Sequence, residues 1–153
     1  MAKNLGNDED RRAILERLAA LRFDSRARWG RMSVHQMICH VNDSYRCPLG
    51  EKTASPASGF LQRTVVKFVA LRVPLHWPKG VPTRPEMEQG VGGTKPVEFE
   101  RDRAELVEMV NRFSKSVGAL PEPSHPIFGP MSDLEWLRWG WLHVDHHLRQ
   151  FGA

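Results

Sequence analysis

No apolar run in this sequence approaches the roughly 20 residues a membrane-spanning helix needs. Arg or Lys interrupts each candidate, as at Lys67 and Arg72. The opening residues, MAKNLGNDED, are polar and charged, so they lack the apolar region of a secretory signal. Cysteine is scarce. Cys39 and Cys47 stand eight residues apart on or beside one predicted helix. At about 1.5 Å per residue that is roughly 12 Å, beyond disulfide reach. Free thiols suit a reducing compartment, and a cytoplasmic protein is expected. Familiar catalytic motifs are missing too. There is no GxSxG elbow and no HExxH, because Val144 stands where that motif needs its glutamate. The fragment Gly90-Val91-Gly92-Gly93-Thr94-Lys95 fails as a phosphate loop: Lys does not precede Thr, and no apolar strand leads into it. Internal repeats and low-complexity tracts are absent.

What is present is ordinary for a folded chain. The 153 residues are 41% apolar and 26% charged, with five Trp and seven Phe available for packing. One domain over residues 1–153 is the economical expectation. The net charge of +4 comes largely from Arg, including Arg11, Arg12, Arg17, Arg22, Arg26, Arg28 and Arg31. Such a surface attracts anions or nucleic acid. Without a nucleic-acid motif or an aromatic-interleaved basic strand, it reads as a solvated cationic face balanced by Asp and Glu, and nucleic acid is disfavoured as a partner.

The periodicity predicts an all-α protein. Asn7 or Asp8 caps a first helix running to about Arg22, with Ile14, Leu15, Leu18 and Leu21 at helical spacing. Ser33 with Gln36 forms a capping box for a second helix, whose stripe is Val34, Met37, Ile38, Val41 and Tyr45 and which closes at Cys47-Pro48. A third helix is expected from about Ser58 to Val73 and a fourth from about Glu100 to Val117. Ser132 with Glu135 opens a last helix that continues almost to the C-terminus. Between the third and fourth lies an irregular stretch from Pro74 to Val97 holding five prolines and four glycines. Loops of that length are usually functional or flexible. A lid over a pocket, with His76 and Trp77 as contacts, competes with a plain exposed connection.

Seven histidines are present, three of them within five residues of the last helix: His143, His146 and His147. At about 100° per residue, Glu135, Arg138, Asp145 and Arg149 share one sector roughly 80° wide. Opposite it sit Trp136, Gly140, His143, Val144, His147 and Phe151. His143 and His147 therefore face inward, while His146 and Asp145 turn away. An i, i+4 pair, with β-carbons about 6 Å apart, can converge on one ion at the usual zinc–nitrogen distance of about 2.0–2.1 Å. A hydrogen-bonded core pair fits the same spacing. The third ligand must come from elsewhere. His40 lies at the margin of the second helix's stripe, beside Met37 and Ser44, whereas His35 falls nearer the polar face. Three neutral imidazoles leave a position for water or substrate. Asp43 and Gln150, each three residues from a candidate ligand, are expected to orient them. No general base is placed by spacing; Asp43 and His125 are the candidates, with His125 expected far from His147.

Two of these segments carry a family resemblance. Arg28-Trp29-Gly30, followed by Ser33-Val34 and His40, resembles the second-helix signature of the DinB/YfiT-like superfamily. HVDHHLRQFG resembles that superfamily's last-helix His-x-x-x-His, and with HPIFGP and the Trp136 segment it looks like an uncharacterised bacterial branch. The resemblance implies a four-helix bundle with an additional short helix or long Pro/Gly-rich loop, often dimeric. It also implies a divalent metal, zinc or nickel, held by His40, His143 and His147. Characterised relatives include thiol-dependent transferases and isomerases using low-molecular-weight thiols, and the expected activity is that of a metal-dependent enzyme, a thiol S-transferase or hydrolase acting on a small molecule. A non-catalytic, metal-stabilised bundle serving as a binding or interaction module is the alternative.

Overall fold

The computed structural model describes residues 2–153. Helix α1 spans Asp8–Ala19; the Asn7 side chain accepts the Asp10 N–H, and Asp8, Glu9 and Asp10 complement the positive end of the helix dipole. It stops three residues short of the expected Arg22. Ser25 Oγ captures the Arg22 N–H at 3.0 Å, and the Arg103 guanidinium binds the Ala19 and Leu21 carbonyls, so the last turn is satisfied from outside.

Helix α2, Val34–Arg46, opens on the Ser33–Gln36 capping box. A π-helical turn over Gln62–Val66 leads into α3, Lys67–Arg72, which ends as Val73 turns extended ahead of Pro74. Helix α4 spans Phe99–Ser116, where Glu98 accepts the Glu100 and Arg101 N–H groups. Helix α5 spans Asp133–Gln150 from the Ser132–Glu135 capping box. One element was not expected. Ser124–His125 (β1) pairs antiparallel with Gly129–Pro130 (β2), which turns HPIFGP into a small hairpin. Gly129 adopts a positive φ of 67° there.

The architecture is all-α apart from that hairpin. Helix α2 packs on α4, and α1 touches both α4 and α5. Ile14, Leu18, Met37, Ile38, Tyr45, Leu106, Val110, Phe113, Trp136 and Leu148 are buried between them. Close approach at α5 requires Gly140: a Cβ there would lie 2.8 Å from Phe113 and 2.9 Å from Leu5. Tyr45 donates to the Gly140 carbonyl at 2.7 Å. The charged sector of α5 is not simply solvated. Asp145 is buried and joins Arg17 of α1 at 2.7 Å and Arg149 at 2.9 Å, while Arg138 reaches the Leu71 and Lys3 carbonyls. Among the described residues, no helix is long and apolar enough to cross a membrane.

Candidate functional site

Helices α2 and α5 bring His40, His143 and His147 together. Ring centroids are separated by 5.3 Å (His40–His143), 4.9 Å (His40–His147) and 5.0 Å (His143–His147). One ring nitrogen from each lies within 4.8 Å of the others. Two rings are oriented by hydrogen bonds. His40 Nδ1–H donates to the Met87 carbonyl at 3.1 Å, and His147 Nδ1–H donates to Gln150 Oε1 at 2.8 Å. Gln150 is itself fixed, because its Nε2 donates to the Trp29 carbonyl at 2.9 Å. Each of these rings thus keeps a lone pair on Nε2. His143 makes no side-chain hydrogen bond among the described residues, and its Nδ1 is fully buried without a partner.

Burial pushes His40 below the ordinary histidine pKa. Burial first, and then the neighbouring histidines, pushes His143 and His147 well below it. The cluster is therefore neutral at physiological pH. Three neutral imidazoles, two of them tautomer-fixed and the third with an unpartnered ring nitrogen, suit a divalent cation.

Gly30 makes the Gln150 contact possible. Its φ is +81°, and a Cβ on it would sit 2.7 Å from Gln150 Nε2. Asp43 does not orient a ligand, contrary to expectation. It is fully buried, accepts Thr94 N and Oγ1 at 2.7 Å each, and pairs with Arg46 and Lys52. Its carboxylate ties the 74–97 loop to α2 and acts on His40 only through space.

That loop is no bare connection. Met87 supplies the carbonyl on His40, Trp77 packs 6.1 Å from His143 and 6.2 Å from His146, and Arg84 anchors the loop to Ser55. His146 was expected to turn away. Instead it sits between Trp29 and Trp77, lining the same cavity, with its Nδ1 buried and unpartnered. The loop folds back over α5 and makes a second inward face there.

Beside the histidines lies a cavity of about 860 Å³, lined by Trp29, Met32, Val69, Trp77, Phe128 and Trp139 among others. That is within the range of small-molecule sites. Arg31, Lys52 and Arg84 border it against one carboxylate, Glu122. Cys47 also lines it, but burial raises its thiol to about 11, so it stays protonated. His125 lines the cavity too, nearer than expected: the hairpin packs it 5.2 Å from Trp139, whose own ring is 5.2 Å from His143. Burial drives its pKa to about 3, which disqualifies it as a general base near neutrality.

Sequence reasoning missed a second cluster. His35 is buried, not on a polar face, and its Nε2 lies 2.7 Å from Asp102 Oδ2. The same oxygen accepts the Val97 N–H at 3.0 Å and faces Cys39 Sγ at 3.8 Å. Burial, reinforced by Asp102, raises the Cys39 thiol to about 12. With that oxygen already filled, the group ties α2 to α4. The i, i+4 spacing of His35 and Cys39 was its only sequence signal.

Fold and cluster together define an α-helical protein with a three-histidine centre at the wall of a cavity of about 860 Å³. The chain belongs to a family described as protein of unknown function (DUF1569), whose family model matches residues 4–153. No curated protein and no solved structure matches it.

Proposed function

We propose that the protein is a metal-dependent enzyme of the DinB/YfiT-like kind, a thiol S-transferase or hydrolase that holds zinc or nickel on His40, His143 and His147. On this reading α1, α2, α4 and α5 are the four helices of the bundle, and α3 with the 74–97 loop is the addition. The observation that carries the reading is the convergence of three neutral imidazoles at the wall of a cavity large enough for a substrate. A purely structural metal would need no cavity at its side; a non-catalytic bundle that binds a ligand there is the second reading.

A bound divalent ion supplies Lewis acidity that lowers the pKa of a thiol or water at an open position. The chain's own residues do the rest. Met87 and Gln150 hold His40 and His147 in the tautomer that presents Nε2. Trp77 and Trp139 flank His143 and exclude water from its faces. The protonated Cys47 leaves the nucleophile to come from outside the chain. Arg31, Lys52 and Arg84, on the cavity border, favour a thiol co-substrate carrying negative charge.

Untagged protein purified without chelator is expected to carry one zinc or nickel per chain by elemental analysis, lost in His143→Ala. Substoichiometric metal that neither added zinc nor added nickel restores overturns the proposal. In cobalt-substituted protein, a visible spectrum that responds to an added thiol marks an open position. A spectrum that no thiol or anion perturbs favours the non-catalytic bundle.

A further inference from the structure

His125 occupies an unusual position for a histidine. Its Nδ1 accepts two backbone hydrogen bonds, from Ile127 N–H and Phe128 N–H, each at 3.1 Å. Both donors need a lone pair on that nitrogen, so the ring proton must sit on Nε2. The ring cannot turn to relocate it. It is stacked on Phe128 at 4.6 Å and 18°, with the edges of Trp136 and Trp139 at 5.7 and 5.2 Å.

The side chain is only 9% exposed and lines the large cavity. Yet Nε2–H meets no acceptor among the described residues, whose hydrogen bonds to His125 all fall on Nδ1. A donor fixed at a cavity wall without a protein partner favours a ligand that brings an acceptor to it. The hairpin that fixes the ring is built by HPIFGP itself, so histidine, turn and stacking partner come from one short segment. The walls around it, Phe128, Trp136 and Trp139, offer aromatic surface and no competing acceptor side chain.

We propose that His125 Nε2–H is a binding donor for the carbonyl oxygen of a ketone, ester or amide substrate whose body is otherwise apolar, lying in the cavity beside the three-histidine cluster. The ring stays neutral with its one proton on Nε2, because accepting a second proton on Nδ1 would cost it both backbone hydrogen bonds. It polarises and orients the carbonyl and takes no proton from the substrate. The inference rests on the cavity being the substrate site, as in the function proposed above, but it does not require the ion.

Acetophenone and ethylbenzene, alike in shape and differing in the oxygen, are the probes. Long-range proton–nitrogen NMR on 15N-labelled protein, both chelator-treated and zinc-loaded, is expected to show His125 protonated on Nε2. That proton should move downfield on saturation with acetophenone and stay in place with ethylbenzene. In His125→Phe, the acetophenone-to-ethylbenzene affinity ratio should shift roughly tenfold toward the hydrocarbon. Should that variant fail to fold, the wild-type spectra still decide. A proton on Nδ1, no binding of acetophenone, or equal responses to the two probes would each overturn the assignment. The chelator-treated sample separates the two proposals: a protein that binds no metal can still show the His125 response, and a metalloprotein can lack it.

Discussion

At the scale of single residues, the site depends on what holds its histidines. Gln150 is the clearest case, bonded to His147 on one side and to the Trp29 carbonyl on the other. Gln150→Ala should weaken zinc or nickel affinity by about 10- to 100-fold, with Gln150→Glu retaining most of it, as measured by competition with a chromophoric chelator. His125 makes a pH prediction. Its folded pKa of about 3 lies below the ordinary value near 6.5, so the unfolded chain takes up the proton first. The stabilisation is complete above about pH 6.5 and is lost as pH falls toward 3, with a slope on the order of 1 kcal/mol per pH unit. The difference in urea unfolding between the metal-free protein and His125→Phe at pH 7, 6, 5 and 4 isolates this ring from His40, His143 and His147, which are shifted the same way. A flat difference over that window would contradict the burial argument.

At the scale of elements, the helix starts were the most legible part of the sequence. Ser33–Gln36 and Ser132–Glu135 each act over three residues, and such local chemistry survives any tertiary arrangement. The inward pair His143 and His147 was legible for the same reason, since helical period alone sets their face. The failures lie where the answer depends on a distant partner. Two-residue strands carry no alternation, so the hairpin and the placement of His125 were invisible. His146 and His35 were assigned by helical period to outer faces that the 74–97 loop and α4 in fact cover. Asp43 was assigned to a ligand because spacing gives a face but not the neighbour that occupies it. Its true role gives the element-scale prediction. Asp43→Asn should loosen the tie between α2 and the loop, costing about 1–3 kcal/mol. Amide exchange at Thr94 should accelerate, together with that around Met87, more than at the α4 core.

At the scale of the whole molecule, the family match runs over residues 4–153, nearly the full length of the chain. The histidines come from segments about a hundred residues apart, and the cavity beside them is shared by α2, α3, the loop, the hairpin and α5. Only the complete fold makes the site. The aromatic walls have a practical consequence. Trp77 and Trp139 lie 6.1 and 5.2 Å from the His143 ring, so the protein carries its own optical reporter. Open-shell nickel held at the three histidines should darken the indole emission strongly, whereas closed-shell zinc should leave most of its intensity. The two ions could then be told apart, and counted, by light from residues that never touch them.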